Sequence, residues 1–329
     1  MKVAIISGVT GQDGSLLAAL LLGKGYRVIG LVSPGRVSDS FRLEYLRITD
    51  KVEMRQINLL DNVQVKQLLE DTSPDEFYNL AAISSVSHSF RIPFETFSFN
   101  TGSVMNILES IRIVSPGTRF YQASSSEMFG NIGSHRLPIK ESFLFHPVSP
   151  YGTSKASAHW LAINYREAYK LKACCGILFN HESALRPPHF VIKKIVRTAI
   201  QISNGYDGKL SLGNTSIVRD WGYAPLYVDA MWRMLQQEEM NDYLICSGSF
   251  TKLDDFVQKV FARVDLDAGD HVSIDSSLLR SLDLEIIYGD NAMAKKALGW
   301  EYNLSTDNFI QRLIDDEIEL MKWESALKK

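Results

Sequence analysis

The sequence predicts an α/β protein: a doubly wound parallel sheet with a second, smaller α/β substrate-binding domain beside it. Three observations predict this. In the first half, short apolar runs alternate with helical patterns, as in a parallel sheet built from helical crossovers. Those runs are apolar almost throughout rather than at every second position, which suits strands covered on both faces. A glycine triplet, Gly8, Gly11 and Gly14 in SGVTGQDGSLL (7–17), falls between the first apolar run and the first helical pattern.

The elements follow in order. Strands are expected at Val3–Ser7, Arg27–Val32, Glu53–Ile57, Glu76–Leu80, Thr118–Ala123 and Cys174–Leu178, with helical patterns at Ser15–Lys24, Val63–Glu70, Gly102–Ile113 and Pro150–Tyr169. Beyond Asn180 the alternation loosens. LSLGN (210–214), DYLICSG (242–248) and EIIYGD (285–290) read as short strands among helices such as Leu253–Val264 and Thr306–Trp323. Residues 1–180, with a return segment about 220–250, are assigned to a dinucleotide-binding domain. Residues 181–219 and 251–329 are assigned to the substrate domain. No repeat, low-complexity tract or long linker separates them, so one compact body is expected.

Composition excludes several classes. The chain has 329 residues, 45% hydrophobic and 22% charged, ordinary for a globular protein. No apolar run approaches the roughly 20 residues that cross a bilayer, and MKVAIISGVTG has no signal-peptide pattern. A net charge of −3 gives no footprint for nucleic acid or anionic membrane. Three cysteines, Cys174, Cys175 and Cys246, fit neither a disulfide framework nor metal-ligand spacing. A reduced, cytoplasmic protein without a metal is expected.

The glycine triplet carries the first functional signal. Glycines permit a tight turn and a close approach of backbone amides to a pyrophosphate, and the helix that follows turns its positive end toward the phosphates. The spacing is G-x-x-G-x-x-G. Though not the G-x-G-x-x-G of many dehydrogenases, it leads us to expect a Rossmann-type dinucleotide site. The second strand runs into GLVSPGRVS (30–38), which has Ser33 and Arg36 but no acid. A free ribose 2′-hydroxyl usually meets an acid there, whereas a 2′-phosphate needs a cation. The expected cofactor is therefore NADP rather than NAD.

VSPYGTSK (148–155) sets Tyr151 four residues before Lys155, on one helix face. Among 13 tyrosines such a pair can arise by accident, so its surroundings decide its meaning. The preceding strand, RFYQASSSEMFG (119–130), ends in three serines and Glu127, at the sheet edge where α/β proteins bind ligands. An ammonium at ~4 Å with an effective dielectric near 20 is worth roughly 4 kcal/mol, about 3 pK units for a phenol. With an oxidised nicotinamide alongside, Tyr151 is expected near neutrality as a general base, with Ser125 on the same substrate oxygen.

GVTGQDGS, YNLAA, FYQASSSEMFG, SPYGTSKA and LFNHES together resemble the extended short-chain dehydrogenase/reductases. GQDGS (11–15), FYQASSSE (120–127), NYREAY (164–169), GILFNHES (176–183) and RDWGYAPLYVDAMW (219–232) narrow the resemblance to GDP-mannose 4,6-dehydratases, over about residues 1–320. The resemblance implies a catalytic set of Ser125, where the family has threonine, Glu127 as acid/base, Tyr151 and Lys155. It implies that the cofactor meets Gly8, Gly11, Gln12, Asp13 and Gly14, then Arg36, Asn58, Leu59, Leu80, Ala81 and Ala82, and finally Tyr151, Lys155, His181 and Arg186. The substrate, a GDP-linked sugar, would meet Ser84, Ser125, Glu127, Tyr151, Asn180, Val191, Lys194, Arg219, Arg280 and Asp283. Arginine suits a diphosphate because its planar fork donates in pairs. The implied reaction oxidises C4, eliminates the 6-hydroxyl as water and returns hydride to C6, so the dinucleotide is regenerated. A homo-oligomer, dimer or tetramer, is implied as well.

The chain departs from the family pattern around recognition. Ser33 and Pro34 stand where the family has two arginines, Asn58 where it has aspartate, ALRPP (184–188) where it has Pro-Arg-Arg-Gly, and RSLD (280–283) where it has arginine–proline–x–glutamate. The lost arginines put tetramerisation in question. They also leave open a GDP-manno-heptose 4,6-dehydratase and an NADPH-dependent reductase of GDP-4-keto-6-deoxy sugars. A non-enzymatic dinucleotide-binding module would have no use for the four catalytic residues together.

Overall fold

A computed structural model describes residues 1–35, 40–279 and 284–327 of the chain. Its centre is a parallel sheet of seven strands. Six are β1 (Val3–Ser7), β2 (Arg27–Val32), β3 (Val52–Gln56), β4 (Glu76–Asn79), β5 (Arg119–Ser125) and β6 (Ala173–Leu178). The seventh, Tyr243–Ile245, lies in the return segment and pairs in parallel with β6. The chain winds outward from β1 through β2 to β3, then crosses back and winds the other way through β4, β5 and β6. Between β1 and β4 the winding reverses, and Ser7 lies opposite Asn79 there. Such a switch point opens a crevice at the carboxyl ends of the strands.

Burial explains the strand pattern. Ala4, Ile5 and Ile6 in β1 have no exposed surface because helices cover both faces. Helix Gln12–Gly23 packs on the same side as helix Ala224–Leu235. Helices Asn62–Thr72, Pro93–Val114 and Pro150–Tyr169 cover the other side. Caps fix where helices begin: Asp61 accepts the amides of Val63 and Gln64, and Ser149 with Pro150 starts the helix that carries Tyr151. The helix expected at Gly102–Ile113 begins nine residues earlier, at Pro93, because proline is preorganised for the first helical position and Gly102 is tolerated inside. Helix Gln12–Gly23 likewise starts before Ser15, with Gly11 as its cap.

A second layer joins helices Val191–Ser203, Leu253–Ala262 and Thr306–Ala326 around Ile195, Phe256, Phe261 and Leu313. Short strands edge it. Val218–Arg219 lies between Thr251–Lys252 and Ile286–Ile287, and Leu210–Leu212 pairs with Val272–Ile274. Strand Asn180–Glu182 pairs with Trp221–Tyr223 and leads from the main sheet toward this layer. The site lies along that seam.

Candidate active site

The glycine loop closes tightly over the end of β1. Gly8 has φ +73°, in the left-handed region, and a Cβ on Gly14 would come 2.2 Å from the Gly8 carbonyl oxygen. Only glycine fits there. Ser7 locks the switch point: its hydroxyl donates to Asn79 at 2.7 Å and accepts the amides of Leu80 and Ala81 at 3.1 Å. The cap residue Gly11 offers helix Gln12–Gly23 no side-chain acceptor, so its first amides remain available to an anion. Gly8, Gly11, Gln12, Asp13 and Gly14 line a cleft of about 760 Å³ with Leu59, Leu80, Ala81, Ala82 and Arg186. Leu31, Val32 and Phe99 add a wall that sequence reasoning missed, and Ser33, singled out after the second strand, lines it with them. These residues could hold a dinucleotide: the helix end suits its pyrophosphate and the apolar wall its base.

A second cleft of about 270 Å³ shares Asp13, Leu80, Ala82, Ser84, Arg186 and Phe190 with the first. Strand β5 brings Ser125 to its floor. The short turn that follows, Ser126–Met128, brings Glu127, whose amide donates to Ser125 Oγ at 3.3 Å. Helix Pro150–Tyr169 supplies Tyr151 and Lys155 from its first two turns, and Asn180, His181, Val191 and Arg219 complete the lining. Carboxylate and phenol therefore face one cavity.

The electrostatics depart from the sequence expectation. Burial pushes the Tyr151 phenol up to about 12, with the Ser125 hydroxyl opposing it and Glu127 adding to it. Burial thus opposes the shift toward neutrality expected from Lys155 together with an oxidised nicotinamide. Lys155 Nζ lies 5.8 Å from the centre of the Tyr151 ring and donates to the Ala123 carbonyl at 2.8 Å. Burial also pushes Lys155 down to about 8, with Asp13 opposing. Desolvation dominates both groups because both lie beneath the cleft floor.

His181 is held within the protein. Its Nδ1 lies 2.7 Å from the Phe179 carbonyl oxygen, its Nε2 lies 2.8 Å from Asp13 Oδ2, and its ring stacks on Tyr227 at 4.6 Å. Burial works against both charges of the pair. The partners outweigh it: Asp13 is lowered to about 2 and His181 is raised. Arg186 stacks on Phe190 at 3.7 Å and lies 3.4 Å from buried Glu182.

Other expected residues lie elsewhere. Asn58 is exposed, and its side chain caps a local turn by accepting the Leu60 amide at 3.1 Å; its neighbours Ile57, Leu59 and Leu60 line the larger cleft instead. Lys194 donates to the Ser211 carbonyl at 2.6 Å and lines neither cleft. Arg36, Arg280 and Asp283 lie outside the described residues. Arg42, not anticipated from the sequence, bridges the two walls: its guanidinium donates to Leu185 O at 2.7 Å and Thr10 O at 3.0 Å. An arginine in an amphipathic pattern carries no signal of such a long-range bridge.

Comparisons with known proteins agree with this geometry. Residues 5–313 match the family model described as GDP-mannose 4,6 dehydratase. GDP-mannose 4,6 dehydratase 2 of Arabidopsis thaliana is 40% identical, covering 99% of this chain and 89% of its own. The Homo sapiens GDP-mannose 4,6 dehydratase is 35% identical (98% and 92%), and that of Vibrio cholerae 34% (100% and 96%). Among solved structures, a dTDP-glucose 4,6-dehydratase from Streptomyces venezuelae with NAD bound superposes with TM-score 0.86 at 20% identity, covering 98% of each chain. RMD from Pseudomonas aeruginosa, complexed with NADPH, superposes with TM-score 0.81 at 21% identity, covering 97% of this chain and 100% of its own. The structural likenesses speak for the fold, and the identities over whole chains speak for descent. This chain belongs to the GDP-mannose 4,6-dehydratase family.

Proposed function

We propose that the protein converts GDP-mannose to GDP-4-keto-6-deoxymannose, losing one water and regenerating its dinucleotide each turn. One observation carries the reading: Glu127 opens on the same cavity as Tyr151, Lys155 and Ser125. A simple alcohol oxidation needs the phenol, the ammonium and the hydroxyl. A carboxylate is needed only if a second proton must move.

A dinucleotide held by Gly8, Gly11, Gly14 and the rest of the larger cleft's lining would supply the hydride chemistry, taking hydride from C4 and returning it to C6. Tyr151 takes the O4 proton while Ser125 holds that oxygen, and the Lys155 charge favours the phenolate. Once C4 is a ketone the C5 proton is acidic. Glu127 removes it and protonates the departing 6-hydroxyl, breaking the C6–O bond. Of the two protons taken, from O4 and C5, one leaves with water and one returns to C5, so nothing accumulates.

Several finer readings rest on the same site. NADP is the preferred cofactor, supported by Ser33 at the end of β2 and by the lack of an acid across 30–38. Asp13 and His181, taken from the resemblance as cofactor ligands, are read instead as a mutual pair. Residues 1–180 with 220–250 form the dinucleotide domain, supported by the pairing of Tyr243–Ile245 with β6. A homodimer is supported by Phe94, Phe97, Met105 and Ile113, exposed along helix Pro93–Val114 beside exposed Trp160. Among the described residues no helix is long and apolar enough to cross a membrane.

Glu127→Gln tests the reading. With GDP-mannose and NADP⁺, the wild type should release product lighter by one water without net NADPH. The variant should stop at the 4-ketone with stoichiometric NADPH. Water loss at the wild-type rate would refute the role of Glu127. Wild-type turnover of GDP-manno-heptose in preference to GDP-mannose would move the substrate assignment. Equal affinity for NAD⁺ and NADP⁺ at matched salt would overturn the cofactor assignment.

A further inference from the structure

The pair between the two clefts has a composition that the reaction does not by itself require. Asp13 belongs to the first turn of helix Gln12–Gly23 and lines both clefts. His181 belongs to strand Asn180–Glu182 and is buried. Both its ring nitrogens face atoms that only accept hydrogen bonds: the Phe179 carbonyl at 2.7 Å and the Asp13 carboxylate at 2.8 Å. A neutral imidazole has one N–H and would leave one of these contacts between two lone pairs. With Asp13 held ionised by its partners, only the imidazolium satisfies both.

The surrounding hydrogen bonds hold the pair rigid. Gln12 Nε2 donates to Asp13 Oδ1 at 2.9 Å and to the His181 carbonyl at 3.1 Å, and Gln12 Oε1 accepts the Ser183 hydroxyl at 2.9 Å. Gln12 and Asp13 of the dinucleotide wall and His181 and Ser183 on the sugar side are thereby fixed to one another, with Tyr227 stacked on the His181 ring.

We propose that Asp13 and His181 are positioning residues: a buried ion pair that locks the two walls together and cancels, at Tyr151, the charge of the carboxylate that the dinucleotide wall carries. The proposal rests on the function assigned above and concerns how that site keeps its phenol usable. Other charges reach the same place. Arg186 lies on the following loop, Glu182 on the strand of His181, Glu127 after β5, and Lys155 on the helix of Tyr151 itself. The Asp13 carboxylate disfavours the phenolate of Tyr151, acting in the same sense as Glu127. Arg186 acts at Tyr151 in the opposite sense; His181, 2.8 Å from Asp13, is the cation in direct contact with that carboxylate, and burial keeps solvent from screening the pair.

The test is a charge-rescue series on the full-length protein with saturating NADP⁺, following kcat/KM for GDP-mannose against pH. His181→Asn should move the rising limb to higher pH by roughly half a unit or more and lower activity at pH 7 at least threefold. Asp13→Asn should move it little, because the buried imidazole sheds its proton once the carboxylate is gone. Asp13→Asn combined with His181→Asn should bring the limb back toward wild type. A merely structural latch predicts the reverse, a double variant at least as impaired as either single one and no displacement of the limb. An unmoved limb in His181→Asn, or no recovery in the double variant, overturns the proposal. Histidine ¹⁵N resonances of the wild type and of Asp13→Asn give a second reading that needs neither turnover nor a folded His181 variant. At pH 7 His181 should carry both protons in the former and one in the latter. A singly protonated ring in the wild type refutes the pair even if the enzyme is a dehydratase, whereas intact charge rescue on another nucleotide sugar would correct the substrate alone.

Discussion

Lys155→Met removes the ammonium while retaining much of the buried volume of the side chain. In the native cleft that charge lies 5.8 Å from the centre of the Tyr151 ring. At this separation and an effective dielectric near 20, it stabilises the phenolate by about 3 kcal/mol, equivalent to about two pK units. With burial already holding the phenol near 12, the lost charge lowers the phenolate fraction about 100-fold at any pH well below that value. The expected result is a kcat about 100-fold down at pH 7.5, with KM for GDP-mannose within about threefold. Because burial puts the Lys155 ammonium itself at about 8, the wild-type rate should stop rising near that pH as the charge is lost. The variant should continue to rise and regain part of its deficit. Initial rates of water loss measured by mass spectrometry from pH 6 to 10 decide the matter. A deficit of less than fivefold, or one of constant size across the range, would refute the electrostatic role of Lys155.

Other expectations concern the scaffold. Gly14→Ala places a methyl group 2.2 Å from the Gly8 carbonyl oxygen and 2.6 Å from Val9 Cα. It should cost about 1–3 kcal/mol or more in urea unfolding and weaken NADP⁺ binding at least tenfold. Gly23→Ala, with nothing within 4 Å, should be neutral or gain up to about 1 kcal/mol; equal losses in both variants would deny the close packing of the loop. Burial pushes His159 from 6.5 down to about 4. Below pH 6.5 the unfolded chain binds a proton that the folded chain refuses, so stability should fall by roughly 3 kcal/mol between pH 6.5 and 4. The difference in unfolding free energy between wild type and His159→Gln across that range isolates this contribution, and a pH-independent difference would contradict it.

Local rules made the first half of the fold legible. An apolar run such as Val3–Ser7 must be covered on both faces, and a glycine triplet after it can only be a tight turn into a helix; β1, β2 and helix Pro150–Tyr169 occupy the expected residues. Helix starts were less legible where proline and glycine give opposing signals, as at Pro93 and Gly102. That Ser125, Glu127, Tyr151 and Lys155 meet in one cleft could be anticipated from their spacing and their place at strand ends, because a doubly wound sheet must present those ends at one edge. Their energetics could not. The distance from Lys155 to Tyr151, the burial that drives the phenol up instead of down, and the Asp13–His181 pair spanning 168 residues are products of packing. Arg42 likewise gained its role only when Thr10 and Leu185 were brought to it. The sequence by itself determined which groups gather at the switch point, since local propensity and burial pattern act over a few residues. Tertiary structure alone decided how water is excluded from them and which charges face one another, because desolvation and Coulomb energies depend on distances that no local pattern contains.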